Sequence, residues 1–92
     1  MNLVCLLLTC LTLSVSAYSD HGITASGAWT RQGIAACGSV FPFGTVFVVQ
    51  SKAYVCMDRG SLVTDGHLDL FMDSEEAAWE WGRKNVTVGV WR

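Results

Sequence analysis

Residues 58–77 read DRGSLVTDGHLDLFMDSEEA, and the fold turns on how Asp69 is read within them. From His67 to Met72 the residues alternate. His67, Asp69 and Phe71 fall on one side of an extended chain, and Leu68, Leu70 and Met72 fall on the other. That is a strand pattern, yet aspartate is among the poorest strand formers. An unpaired carboxylate in an apolar setting is costly, or it shifts its pKa and becomes neutral. An aspartate at the centre of a strand, flanked by leucines, therefore asks for a functional reason.

The same rhythm continues outward. GIAACG (33–38), GTVFVVQ (44–50), AYVCMD (53–58) and NVTVGVW (85–91) are short apolar or alternating runs separated by turn residues. Alternation puts Tyr54, Cys56 and Asp58 on one face of their strand. Ser51-Lys52 reads as a tight hairpin loop between two of these runs. One helix signal stands out, DSEEAAWEWG (73–82). Asp73 or Ser74 can cap its start, Asp73 with Glu76 resembles a capping box, and Gly82 suits its end. Short strands with one short helix predict a small, mainly β fold, a closed β-barrel.

The N-terminal stretch MNLVCLLLTCLTLSVSA (1–17) has an apolar run followed by small residues. It reads as a signal peptide cleaved after Ala17, although no Lys or Arg follows Met1. The run is shorter than the roughly 20 apolar residues that span a bilayer. The expected organisation is residues 1–17 as leader and 18–92 as one domain. The product would be secreted, periplasmic or in the cell wall, free of the membrane after cleavage, and monomeric. A net charge of −2 with no basic cluster gives no reason to expect a nucleic-acid partner. Cys37 and Cys56 are an even pair in a chain expected to be exported. They read as a disulfide, with two buried free thiols as the alternative.

The order and spacing of TASG (24–27), GIAACG, FPFGT (41–45), DRG (58–60), HLDLF (67–71) and DSEEAAWEWGRKNVTV (73–88) resemble the three-aspartate (3D) domain. That domain is related to the catalytic barrel of membrane-bound lytic transglycosylase A and to small secreted cell-wall proteins. The resemblance implies a six-stranded double-psi β-barrel with one short helix. It also implies lytic transglycosylation of peptidoglycan glycan strands, in which the C6 hydroxyl of muramic acid closes on C1 to leave a 1,6-anhydro end. One carboxyl group must first protonate the leaving oxygen and then take the C6 hydroxyl proton.

Asp58, Asp69 and Asp73 match the aspartates that name the family. Asp69 suits the acid/base role, Asp58 the tuning or orienting partner, and Asp73 structural support or a sugar contact. Read alone, Asp58 could simply open a turn and Asp73 could be a helix cap. Thr24 and Ser26 match polar positions near the family's substrate groove, and Gly60 lies in the stretch between Asp58 and Asp69 that lines it in relatives. His67, where the family has an arginine, shares the face of Asp69 and could contact substrate, and Trp29 lies in a polar loop and could stack on a sugar ring. Thr24 and Ser26 could equally form a turn, and His67 could be a hydrogen-bonded residue without substrate. Trp79 and Trp81 match apolar helix positions expected in the core. The carboxylates and His67 lack tight metal-ligand spacing, so no metal or other cofactor is expected. The family's likeness to expansin-like barrels gives the alternative function, a noncatalytic module that binds wall polysaccharide.

Overall fold

The computed structural model describes residues 9–91. Six strands close into a barrel: β1 (Thr9–Tyr18), β2 (Ile34–Cys37), β3 (Val46–Val49), β4 (Lys52–Asp58), β5 (His67–Phe71) and β6 (Lys84–Trp91). A single helix among the described residues, α1 (Glu75–Trp81), lies between β5 and β6. Around the barrel the strand order is β1-β5-β2-β4-β3-β6. Two neighbouring pairs, β1 with β5 and β2 with β4, run parallel, while the other four are antiparallel. The mainly β architecture expected from the sequence is what the chain adopts.

Alternation explains the interior. Leu13 and Val15 of β1, Ala35 and Cys37 of β2, Phe47 and Val49 of β3, Leu68 and Leu70 of β5, and Val88 and Val90 of β6 are all buried in one cluster. Fully burying a side chain such as Leu or Phe is worth about 1.5–3 kcal/mol. The Cys37–Cys56 disulfide joins the parallel strands β2 and β4 inside this cluster, with Cα atoms 5.8 Å apart. Closing its loop is worth about 3 kcal/mol in the chain-entropy view. The hairpin between β3 and β4 turns at Gln50 and Ser51, both with positive φ, one residue earlier than the expected loop.

The N-terminal segment departs from expectation. Thr9–Tyr18, of which all but Tyr18 was assigned above to a removable leader, forms the longest strand of the barrel. It pairs with β5 on one side and β6 on the other. In TCLTLSVSAY, the buried Leu13 and Val15 alternate with Thr12, Ser14 and Ser16, which is a strand pattern as well as the tail of an apolar run. Among the described residues the barrel thus starts at Thr9, upstream of the expected boundary at Tyr18. Cys10, within β1, is disulfide-bonded. Residues 1–8, the rest of the expected leader, lie outside the described residues.

Helix α1 starts at an N-cap supplied by Ser74, whose Oγ accepts from the Ala77 amide at 3.1 Å, not by Asp73. Gly82 closes it, its amide donating to the Ala78 carbonyl at 3.2 Å. Arg83 and Lys84 follow Gly82, past the end of the helix. Trp81 anchors the helix to the barrel, since its indole Nε1 donates to the Val15 carbonyl at 3.1 Å. Trp79 points the other way and is 80% exposed, contrary to the core position expected of it.

Candidate active site

Asp69 sits mid-strand in β5, with Leu68 and Leu70 turned into the core. Its own side of the sheet is lined across the strands by register. Ser16 of β1 pairs with Asp69, and Asp69 pairs with Ala36 of β2. Ala36 is in turn the register partner of Asp58. Two strand spacings separate the two aspartates, about 10 Å between backbones.

Asp58 reaches this face through an irregularity. Along β2 and β4, Ala35 pairs with Cys56 but Ala36 pairs with Asp58, so Met57 is the extra residue of a bulge. Strict alternation would send Asp58 to the side of Cys56, which is in the core. The bulge re-aims it onto the side of Asp69, as bulges beside functional sites commonly do. Sequence periodicity alone predicted the wrong face for this residue.

Three donors hold the Asp58 carboxylate. The Tyr18 hydroxyl donates to Oδ2 at 3.0 Å, and the amides of Ala25 and Arg59 each donate to Oδ1 at 2.9 Å. The Ala25 amide belongs to the TASG turn. There the Thr24 and Ser26 hydroxyls lie 2.9 Å apart, and the Ser26 amide donates to the Met57 carbonyl at 3.1 Å. Thr24 is buried, so this pair builds the turn that positions a donor on Asp58. Arg59 is fixed in its turn. Its guanidinium donates to the Phe41 carbonyl at 2.8 Å and stacks 4.2 Å from the centre of the Phe43 ring.

Asp69 is half-buried, and this burial raises its pKa above the ordinary carboxylate range. Opposing it are a hydrogen bond from Ser16 and the nearby His67, with Asp58 adding a smaller upward push and Arg83 a downward one. Desolvation, rather than the second carboxylate, is the main cause. The Tyr18 hydroxyl is also shifted upward, first by burial and then by Asp58.

Both carboxylates open onto one cleft of about 290 Å³. Tyr18, Asp20, His21, Thr30, Arg59 and Gly60 also line it. Of the expected substrate contacts, Gly60 lies in this cleft, whereas Thr24, Ser26, Trp29 and His67 do not line it. Trp29 is 68% exposed and is bridged to Ile23, a lining residue. Asp73 is exposed at the corner before α1 and is not brought to the other two aspartates. Among the described residues, no cluster of three metal-ligating side chains occurs.

The 3D domain family model matches residues 32–92. The chain belongs to the 3D domain family. A relative, YabE of Bacillus subtilis (strain 168), is named as a cell wall shaping protein and is 28% identical over 86 residues. The match covers 89% of this chain but 21% of the relative, so the chain spans about a fifth of that protein's length. Among solved structures, Streptomyces papain inhibitor (SPI) aligns with a TM-score of 0.65 at 15% identity, covering 91% of this chain and 96% of its own. That likeness is one of fold alone.

In this 3D domain the site residues that sequence reasoning missed lie mostly in β1 and just after it. Ser16 was hidden by the reading of residues 1–17 as a leader, and Tyr18, Asp20 and His21, just past that boundary, were not singled out. The signal for Ser16 and Tyr18 was the alternation of SVSAY, which puts Ser14, Ser16 and Tyr18 on one face. A second groove of about 360 Å³ shares Tyr18 and Asp20 with the cleft and is walled by Glu75 and Trp79 of α1. The exposed Trp79 therefore flanks an extension of the same surface.

Proposed function

We propose that this 3D domain is a peptidoglycan lytic transglycosylase in which Asp69 is the acid/base group. The observation that carries the reading is Asp69 on one face with Asp58, in a shared cleft, with its proton held more tightly than an ordinary carboxylate holds it. A group of this kind is still protonated where a surface aspartate is ionised, as a general acid requires. Asp69 would protonate the glycosidic oxygen as the bond to muramic acid C1 breaks. It would then accept the proton of the C6 hydroxyl as that oxygen closes on C1. Proton count balances over the cycle, and water takes no part.

Asp58, oriented by three donors, would face the positive charge forming at C1. Asp73, exposed before α1 and outside the cleft, takes no part in the proton transfer. The groove beside Trp79 would extend the binding surface, an exposed indole face with Asp20 and Glu75 nearby being well suited to a sugar ring and its hydroxyls. The family membership and the wall-shaping relative support action at the cell wall. The Cys37–Cys56 disulfide suits an oxidising, extracytoplasmic location.

The test uses the full chain with purified sacculi. Mass spectrometry of the soluble products should find 1,6-anhydro-muropeptides, and Asp69→Asn should abolish them. Release of reducing ends only would mean hydrolysis and would reject the proposed reaction. Retention of the protein on insoluble peptidoglycan with no product would select the noncatalytic wall-binding alternative.

A further inference from the structure

Behind Asp69, away from the cleft, lies a chain of hydrogen bonds. Ser16 Oγ is 2.9 Å from Asp69 Oδ1 and 2.7 Å from His67 Nε2. His67 Nδ1 is 3.2 Å from the Leu62 carbonyl oxygen. His67 is only 8% exposed, and Ser16 is half-buried on β1. Backbone pairing fixes both partners, since Ser14 is in register with His67 and Ser16 with Asp69.

The donors in this chain can be counted. A carbonyl oxygen only accepts, so His67 Nδ1 carries a hydrogen. Ser16 has one hydroxyl hydrogen to give. If Ser16 donates to an Asp69 carboxylate, then Nε2 must donate to Ser16, and the ring carries both hydrogens. If Ser16 donates to Nε2 instead, the bond to Asp69 is satisfied only when the carboxyl is protonated and donates to Ser16. Both arrangements hold the same number of protons. They differ by one hydrogen moved from Nε2 to Ser16 and one from Ser16 to Asp69. With one proton fewer, Ser16 can satisfy only one of its two neighbours.

We propose that His67, Ser16 and Asp69 form one proton-sharing unit, in which a single proton is held between the imidazole and the carboxyl through the serine hydroxyl. His67 and Ser16 are positioning residues acting through Asp69, and neither meets the glycan. The order of groups differs from a hydrolytic triad, in which the histidine stands between serine and carboxylate. Here the serine stands in the middle, so its oxygen is engaged on both sides and is not an activated nucleophile. The unit keeps a proton in store behind the acid and limits how far burial alone raises its affinity. Other groups facing it are Asp58 from β4, Tyr18 and Asp20 at and after the end of β1, and Arg83 beyond α1.

The inference rests on reading Asp69 as the acid/base group, but its first test needs no turnover. In the folded full chain, the Asp69 carboxyl carbon and the His67 ring nitrogens are followed by NMR against pH. Sharing requires that both sites report the same titration steps. In His67→Gln and in Ser16→Ala, the Asp69 carboxyl should titrate at higher pH, with about tenfold greater proton affinity, because a group that favours its anion is gone. Ser16→Thr, which keeps the hydroxyl, should restore the wild-type step. If Asp69→Asn leaves the His67 titration unmoved, the sites are independent and the proposal is overturned.

Activity on sacculi gives a second reading. The alkaline limb of the pH profile should move upward in Ser16→Ala and His67→Gln and return in Ser16→Thr. A purely structural role would lower the rate at every pH with the limb fixed, and that result counts against the unit. Coupled titration without any anhydro product would leave the unit standing and remove the transglycosylase assignment instead.

Discussion

The Tyr18 hydroxyl donates to Asp58 Oδ2 at 3.0 Å, tying the end of β1 to the bulged end of β4 across 40 residues of sequence. One carboxylate thereby depends on a residue of the strand that supplies Ser16 to the other. The two halves of the site are braced by the same N-terminal strand. Tyr18→Phe keeps the ring, which packs edge-on to Phe71 with centroids 5.6 Å apart, and removes only the hydroxyl. The expected cost is about 1 kcal/mol in urea unfolding. Product release from sacculi should fall as Asp58 loses one of its three tethers. Unchanged stability together with unchanged turnover would show that the tether is idle.

A chain that starts at Tyr18 should not form the barrel. It would lack Leu13 and Val15, both buried in the core, and β5 and β6 would each lose a partner strand. The two side chains alone account for about 3–6 kcal/mol, against a total stability of roughly 5–15 kcal/mol for an ordinary domain. Residues 18–92 should give no cooperative thermal transition, whereas the full chain should give one. A sharp transition at similar temperature in both would show that β1 is dispensable.

Asp69 also links stability to pH. Burial raises its pKa in the folded state above the unfolded value. A carboxyl shifted this way favours the fold below its unfolded pKa, and that contribution is lost as pH rises through the folded pKa. Asp69→Asn removes the dependence. Melting temperatures measured upward from about pH 4, near the ordinary carboxylate value, should therefore show the wild type losing ground to the variant. A constant difference across that range would mean that the buried carboxyl carries no such penalty.

Gly38 follows β2 where the chain passes Asp65 closely. An added Cβ would stand 2.6 Å from the Asp65 Cα and 2.7 Å from its backbone nitrogen. Both atoms are main chain and cannot swing aside. Gly38→Ala should destabilise by about 1–3 kcal/mol, the usual cost of overpacking, read by chemical denaturation. It should also disturb the loop that carries Leu62 and Val63. A loss below a few tenths of a kcal/mol would show that the two segments can part freely.

Sequence reading located β2 to β6 because their apolar residues alternate or run together between turn residues. The hairpin at Gln50–Ser51 was found within one residue, although neither side chain is a usual choice for positive φ. Asp69 was found because a carboxylate between leucines violates strand preference. Three things were not legible. Thr9–Tyr18 carries an apolar run that suits a leader and a buried strand equally, and only pairing with two neighbours distinguishes them. The face of Asp58 depends on a bulge, which periodicity cannot reveal. Trp79 and Trp81 look alike in sequence, and only the indole bond from Trp81 to Val15 shows which one faces the barrel.

Met57, the surplus residue opposite Ala35 and Ala36, has a consequence for how this domain can vary. Dropping Met57 would leave Cys56 opposite Ala35 and the aspartate opposite Ala36, now in unbroken alternation, so the carboxylate would keep its side of the sheet and Cys56 its partner sulfur. The strand therefore tolerates one residue fewer after Cys56, whereas one lost before it, between residues 52 and 56, would turn the cysteine away from its partner. Diversity in what the cleft accepts can thus arise beyond Cys56, by length as well as by side chain, without disturbing the sulfur bridge.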